Sequence, residues 1–163
     1  MSVEVVAVGA DDWRRWRALR LAALAEAPQA FGSTLAGWSG AGDTEARWRD
    51  RLAAVPHNLV VVRDGDDAGM VSLAAPAGAV PPELISMWVA PHARGTGVAD
   101  AAVSVVLALA SATYPAQPVV LSVYEDNAAA RRLYARHGFV DAGPSPDGEG
   151  ELRMVCAAVD RAG

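Results

Sequence analysis

Lysine is missing from this sequence of 163 residues, and all 14 basic residues are arginine. Without lysine the chain cannot carry the Gly-Lys-Ser/Thr step of a Walker phosphate loop, so that class of nucleotide-binding protein is excluded. An excess of basic residues is missing as well, since the formal net charge is -5 and the pI is about 5.1. Nucleic-acid-binding proteins usually present a basic face, and we therefore expect no nucleic-acid partner.

Cysteine and long apolar runs are also scarce. The single cysteine, Cys156, cannot form an internal disulfide, which favours a reducing compartment. Val98–Ala112, the longest apolar stretch, contains Asp100 and Ser104 and is too short to span a bilayer. The N-terminus lacks the basic and apolar regions of a signal peptide. These features predict a cytoplasmic protein with no membrane contact.

No metal site is expected either. His57 and His137 lack partners at metal-ligand spacing, and His92 lies in a loop where we expect it to be exposed. Cys156 falls in an apolar run and is expected to be a small core residue.

Short apolar runs alternate with helical patterns along the chain. The length and the hydrophobic content of 52% fit one globular domain over residues 1–163. Strands are predicted at Val3–Val8, Leu59–Val62, Met70–Ala74, Glu83–Val89, Val119–Val123, Phe139–Ala142 and Leu152–Val159. Helices are predicted from Asp11 and Asp12 to Pro28, from Thr44 to Pro56, from Gly97 to about Thr113, and from Asn127 to Gly138. This order favours an α/β fold whose single sheet is partly antiparallel.

Two local patterns predict how these elements pack. The polar turn over residues 64–67 separates two apolar runs and predicts a hairpin. The helix that begins at Val98 is apolar all round, which is typical of a buried helix.

The most informative segment runs from Val89 to Ala99, where a strand leads through a glycine-containing loop into that helix. Gly95 and Gly97 allow the backbone to approach a ligand closely, and the free N–H groups at a helix start favour an anion. Arg94 adds a charged fork for phosphate oxygens. The segment therefore predicts a site for a phosphorylated cofactor, although an ordinary tight turn with a surface arginine would show the same pattern.

A second segment runs from Asn127 to Phe139. Asn127 is a suitable helix N-cap, and Ala130, Leu133, Tyr134 and His137 fall on one helical face. A tyrosine on such a face is usually a core residue. Its hydroxyl needs a partner when buried, however, and could protonate a departing thiolate.

Together the two segments resemble the GNAT superfamily of N-acetyltransferases. The family's phosphate loop, Arg/Gln-x-x-Gly-x-Gly/Ala, corresponds to residues 94–99 and follows a Val-x-Pro at residues 89–91. Its later pattern Asn-x-x-Ala-x-x-x-Tyr-x-x-x-Gly-Phe is matched by Asn127, Ala130, Tyr134, Gly138 and Phe139. Residues 16–24 and 27–33 also look like family members, in which this stretch helps to wall the acceptor site.

The resemblance implies a mixed, mostly antiparallel central sheet flanked by helices, and acetyl-CoA as co-substrate. Two central strands, Glu83–Val89 and Val119–Val123, would splay apart to admit its pantetheine arm. The implied cofactor-binding residues are Met87, Val89, Arg94, Gly95, Thr96, Gly97, Val98, Ala99 and Asn127. The N–H of Val89 would polarise the thioester carbonyl.

The implied reaction is direct attack of a primary amine on the acetyl thioester. Tyr134 would be the general acid. Glu83 is the candidate base because it begins the strand that feeds the cleft, although a solvated strand end explains its position equally well and a water chain is the alternative proton acceptor. Tyr124 and Glu125 follow the second splayed strand and could touch the acceptor.

The acceptor itself is open, and small amines, amino acids, antibiotics and protein N-termini all fit. A homodimer is common in the family. Two other functions also remain open at this point. One is a catalytically silent acyl-CoA-binding module of the same fold, and the other is an interaction protein without a cofactor.

Overall fold

The computed structural model describes residues 2–158, and a sheet lies at its centre. Its seven strands are β1 (Val3–Val8), β2 (His57–Arg63), β3 (Asp66–Ala74), β4 (Glu83–Val89), β5 (Val119–Tyr124), β6 (Phe139–Pro144) and β7 (Glu151–Cys156). They lie in the order β1-β2-β3-β4-β5-β7-β6. Every neighbouring pair is antiparallel except β4 and β5, which are parallel. The expected mixed, mostly antiparallel sheet is therefore present.

The predicted hairpin joins β2 to β3. Its two turn residues, Asp64 and Gly65, have φ values of 50° and 87°. A two-residue loop with positive φ at both positions matches the twist of the flanking strands, and Asp-Gly is a favoured sequence for it. Both strands are longer than predicted, because backbone pairing continues through polar residues such as His57 and Asp66 that an apolar pattern leaves out.

The described chain contains four α-helices, α1 (Trp13–Glu26), α2 (Glu45–Ala54), α3 (Val98–Thr113) and α4 (Ala128–Arg136). Two of them begin at predicted caps. The Thr44 hydroxyl accepts a hydrogen bond from the N–H of Arg47 at 3.3 Å, and the Asn127 side chain accepts one from Ala130 at 3.2 Å. Between residues 2 and 158, no helix is both long enough and apolar enough to cross a membrane.

Apolar contacts cover both faces of the sheet, which explains the nearly continuous hydrophobic runs of its central strands. The core beneath α1 and α2 is aromatic and includes Trp16, Trp48, Val60, Met70 and Trp88. The core beneath α3 and α4 is built mainly from smaller residues and includes Val71, Ala102, Val106, Leu121, Phe139 and Cys156. Cys156 is a core residue and His92 is exposed, as predicted.

Helix α3 is less buried than its composition predicts. Val98, Ala102 and Val106 are buried against the sheet, whereas Ser104 and Ala108 are exposed on the opposite side. Alanine and serine expose little apolar surface, so a helix can carry them outward at small cost. The final strand is also shorter than predicted, since it ends at residue 156. Its predicted end, Val159, lies outside the described residues.

Strands β4 and β5 separate soon after they meet. Their recorded pairing is limited to Glu83 with Val120, whose N–H donates to the carbonyl of Pro82 at 3.0 Å. Next to this point β4 carries a bulge, where its register against β3 shifts and Ser86 has a φ of 56°. A bulge bends a strand, and this one lies where β4 and β5 part. The fold thereby opens a gap in the middle of its sheet.

Candidate functional site

A cleft of about 780 Å³ occupies the gap between β4 and β5. It is walled by the end of α1, β4, the loop after β4, the start of α3, β5 and α4. The polar side chains along it are Glu26, Arg94, Asp100, Ser122, Tyr124, Asp126, Asn127, Tyr134 and Arg136. Apolar walls with a few convergent polar groups are typical of a site for a small molecule or cofactor.

The loop between β4 and α3 brings free backbone donors to this cleft. Gly95 and Gly97 have φ values of 76° and 87°, a conformation that residues with a side chain rarely adopt. Gly97 is also the N-cap of α3, and it supplies no side chain to bond the N–H groups of the first turn. The helix start therefore presents uncapped donors with partial positive charge, which suits an anion.

Arg94 lies across the mouth of the cleft and contacts α1. Its Nη2 is 2.8 Å from Oε2 of Glu26, and its Nε donates to the carbonyl of Val89 at 3.2 Å. Trp88 Nε1 donates to the same Glu26 oxygen at 3.0 Å. The Arg94 hydrogen bond is the main reason that the pKa of Glu26 is lowered. Because half of the Arg94 side chain is exposed (50%), it can still contact an anion in the cleft.

A second arginine lies beside the start of α3. Arg136 of α4 places Nη2 3.1 Å from Oδ1 of Asp100, and Nε2 of His137 lies 2.8 Å from the same oxygen. The hydrogen bond with His137 is the largest cause of the lowered pKa of Asp100. The α3 end of the cleft thus holds two arginines, each paired with one carboxylate.

Tyr134 contributes a hydroxyl to the cleft wall. Only 6% of its surface is exposed, and its ring packs edge-on against Phe139 with centroids 5.8 Å apart. Burial raises the pKa of Tyr134 well above its ordinary value. The phenol is neutral at physiological pH and can donate a hydrogen bond to a group in the cleft.

The remaining residues of the predicted cofactor site divide into two groups. Those that line the cleft are Met87, Val89, Ala99 and Asn127. Thr96 and Val98 do not line the cleft, and their side chains make contacts within the protein instead. The Thr96 hydroxyl donates to the carbonyl of Ala93, and Val98 is fully buried.

Glu83 is not among the residues that line the cleft, and it lies at the end of the gap where β4 and β5 still pair. Its Oε2 is 3.6 Å from Nη1 of Arg153 on β7. Arg153 also donates to the hydroxyl of Ser122 at 3.2 Å, and Ser122 donates to Asp147 at 2.6 Å. Desolvation raises the pKa of Glu83, while Arg153 opposes the rise. Ser122 lines the cleft, so this polar network connects Glu83 to it.

The segments that form this cleft match a known protein family. The profile of the Acetyltransferase (GNAT) family matches residues 16–139, which include the loop between β4 and α3, the parted strands and Tyr134. The chain belongs to the GNAT acetyltransferase family. Among curated proteins, no sequence matches this chain significantly.

Solved GNAT structures share the fold at low sequence identity. PaiA N-acetyltransferase from Thermoplasma acidophilum, solved with coenzyme A, has a TM-score of 0.75 and 13% identity over 96% of this chain and 99% of its own. YncA from Salmonella typhimurium, solved with its cofactor acetyl-CoA, has a TM-score of 0.75 and 17% identity over 100% and 98%. A spermidine N-acetyltransferase chimera from Vibrio cholerae and hSSAT has a TM-score of 0.72 and 18% identity over 96% of each chain. At such identities the likeness shows a common fold.

Several residues of this GNAT cleft carried no sequence signal. Glu26 and Arg136 occupy helical positions that indicate only a solvated surface, and Ser122 lies inside an apolar strand run. Phe31 did carry a sequence signal, because it lies in residues 27–33, the stretch that in GNAT family members helps to wall the acceptor site. Phe31 does line the cleft.

Proposed function

We propose that the protein transfers the acetyl group of acetyl-CoA to a primary amine. The observation that carries this proposal is the presence, in one cleft, of an uncapped helix start beside Arg94 and of two strands that part next to it. The helix start suits a pyrophosphate. The parted strands expose a strand edge that an extended pantetheine arm can join.

The proposed cofactor contacts follow from this geometry. The N–H groups of the α3 first turn, the backbone of Gly95 and Gly97 and the Arg94 guanidinium would hold the phosphates. Asn127 and the backbone of Met87 would hold the arm. We assign the polarisation of the thioester carbonyl to the Val89 N–H, because only a donor can stabilise the developing oxyanion.

Bound acetyl-CoA supplies an activated acetyl group for attack by an amine. An amine is mostly protonated at neutral pH, so a base must first take a proton from its nitrogen. We assign this step to the carboxylate of Glu83, whose raised pKa makes it a better base than an exposed glutamate. We assign Tyr134 as the donor that gives its hydroxyl proton to the departing sulfur.

A thiol-release screen tests the proposed function directly. The wild-type protein is mixed with acetyl-CoA and a library of amines, and free CoA is measured, while a thermal-shift assay follows binding. We expect CoA release with a subset of amines and a melting temperature that rises with acetyl-CoA. A rise in melting temperature without any release would identify a silent acyl-CoA-binding module. No rise in melting temperature would contradict cofactor binding altogether.

Removing the negative charge of Glu26 should strengthen cofactor binding. Glu26 pairs with Arg94 at the mouth of the cleft, where its carboxylate competes with phosphate and repels it. We expect Glu26→Gln to lower the Kd for CoA by about threefold to tenfold at low salt, with a smaller effect at high salt. Titration calorimetry measures this change. Acetyl-pantetheine, which lacks the phosphates, is the control ligand, and an equal gain for it would contradict the explanation.

The role of Glu83 can be tested through its charged neighbours. Arg153 lowers the pKa of Glu83, and Asp147 raises it. If Glu83 is the base, the acidic limb of the profile of kcat/KM against pH should move to higher pH in Arg153→Gln and to lower pH in Asp147→Asn. The two changes have opposite signs, so a general loss of activity cannot imitate them. An acidic limb that stays fixed in both variants would remove Glu83 from the base role.

A further inference from the structure

Arg20 of α1 and Arg51 of α2 have no carboxylate partner within the described chain, unlike most of its arginines. Seven of the others pair with a carboxylate, namely Arg15, Arg17, Arg49, Arg94, Arg131, Arg136 and Arg153. Arg20 of α1 and Arg51 of α2 are partly buried, and no carboxylate of residues 2–158 contributes to the electrostatics of either. Arg20 and Arg51 are therefore partly buried cations without a counter-charge among the described residues, unlike Arg153, which is also largely buried but pairs with Glu83 and Asp147.

Arg51 is held in place by neutral acceptors. It donates to Oδ1 of Asn58 at 2.9 Å, to the hydroxyl of Ser72 at 3.2 Å and to the hydroxyl of Ser86 at 3.1 Å. Its guanidinium lies 5.4 Å from the ring centroid of Trp16. Burial lowers the pKa of Arg51 to about 10, so the side chain is charged at neutral pH. This positive charge is fixed at the β4 bulge.

Arg20 adds a second charge and an unused donor. Its Nη1 is buried and finds no hydrogen-bond partner in the described chain, and the same holds for Nε1 of Trp16 one helical turn earlier. Desolvation and the charge of Arg51 lower the pKa of Arg20 to about 10, which still leaves it charged. Buried donors are nearly always bonded in folded proteins, so two adjacent unbonded donors beside two charges indicate a missing acceptor.

The arginine pair lies directly behind the wall of the cleft. The Arg20 guanidinium stacks on Phe31, 4.5 Å from its ring centroid, and Phe31 lines the cleft. Ser86, which Arg51 contacts, immediately precedes Met87 of the cleft wall. Glu83 is three residues from Ser86 on the same strand, which is about 10 Å along β4. The pair therefore lies about 10 Å along β4 from the proposed base, beside Phe31 of the segment whose resemblance implies an acceptor wall.

We propose that Arg20 and Arg51, together with the indole N–H of Trp16, bind a carboxylate group of the acceptor. The acceptor class is then an amino acid or another small amine that carries a carboxylate, and this assignment rests on the proposed function. A guanidinium matches a carboxylate with two parallel hydrogen bonds, and an anion relieves the repulsion between two buried cations. Phe31 is the side chain that the acceptor must pass or displace.

The test compares amines that differ only at the carboxylate. Thiol release from acetyl-CoA is measured with glycine, β-alanine, γ-aminobutyrate and phenylalanine, each beside its own carboxamide. Wild-type protein should prefer at least one carboxylate over its amide by about 30-fold in kcat/KM, mainly through KM. In Arg20→Gln this ratio should fall to about 1. Arg14→Gln removes the same charge from an exposed position of α1 and should keep the wild-type ratio.

Each result decides the proposal. A wild-type protein that prefers none of the carboxylates, or an Arg20→Gln protein that keeps the preference, overturns it. If acetyl-CoA binds but none of these amines releases thiol, the proposed function is contradicted for them, and a binding assay then decides the site. Thermal shift by N-acetyl-β-alanine and by its amide is measured with CoA present. Stabilisation by the acid in wild type, absent in Arg20→Gln, supports the carboxylate site, and equal shifts by acid and amide overturn it.

Discussion

Replacing Tyr134 with phenylalanine should lower kcat by about 100-fold to 10,000-fold, the usual range for loss of a general acid. The substitution keeps the ring that packs against Phe139 and removes a single oxygen from the cleft wall. The Kd for acetyl-CoA should change by less than about twofold, since the hydroxyl acts only as the sulfur departs. Steady-state thiol release and calorimetric titration give the two numbers separately.

Tyr114→Phe is the matched control for this experiment. Tyr114 follows α3, lies away from the cleft, and places its hydroxyl 3.4 Å from Nε2 of His57. It loses the same atom without touching the proposed site, so its kcat should stay close to wild type. Unchanged turnover in Tyr134→Phe would remove Tyr134 from the acid role. A parallel loss of acetyl-CoA affinity would show instead that the hydroxyl binds the ligand in its ground state.

Local chemistry made much of this fold predictable from the sequence. The bounds predicted for β4, Glu83–Val89, are those of the structure, because prolines and a glycine-containing loop bracket the strand. Thr44 and Asn127 are N-caps as predicted, since a cap depends on neighbours three residues away. The loop between β4 and α3 was predictable for the same reason, as its glycines and the helix start lie together in the sequence, whereas its phosphate-binding role stays a prediction.

Features that depend on distant contacts were not predictable. Arg94 and Glu26 are 68 residues apart in the chain, and neither position predicts the ion pair. The Arg20 and Arg51 pair arises from the packing of α1 against α2, while each arginine alone fits a solvated helical face. The partial exposure of α3 was missed because a helix that is apolar all round has no periodicity to show which side faces the sheet.

Replacing Arg94 with alanine should raise the Kd for CoA by about 10-fold to 100-fold, the usual effect of losing a charge-assisted hydrogen bond to phosphate. Two physical effects add. The phosphates lose their guanidinium partner, and Glu26 loses the charge that neutralises it at the cleft mouth. The melting temperature without ligand should change little, because the Arg94–Glu26 pair is half exposed and such pairs contribute little to stability.

Two comparisons make the Arg94 result specific to phosphate binding. Arg132→Ala removes an exposed arginine of α4 that does not line the cleft, and it should leave the Kd for CoA unchanged. Acetyl-pantetheine should bind wild type and Arg94→Ala equally, since it has no pyrophosphate. In the double variant with Glu26→Gln, part of the lost CoA affinity should return, because the unpaired carboxylate is gone. If Arg94→Ala binds CoA as tightly as wild type, the phosphates lie elsewhere and the loop between β4 and α3 is only a turn.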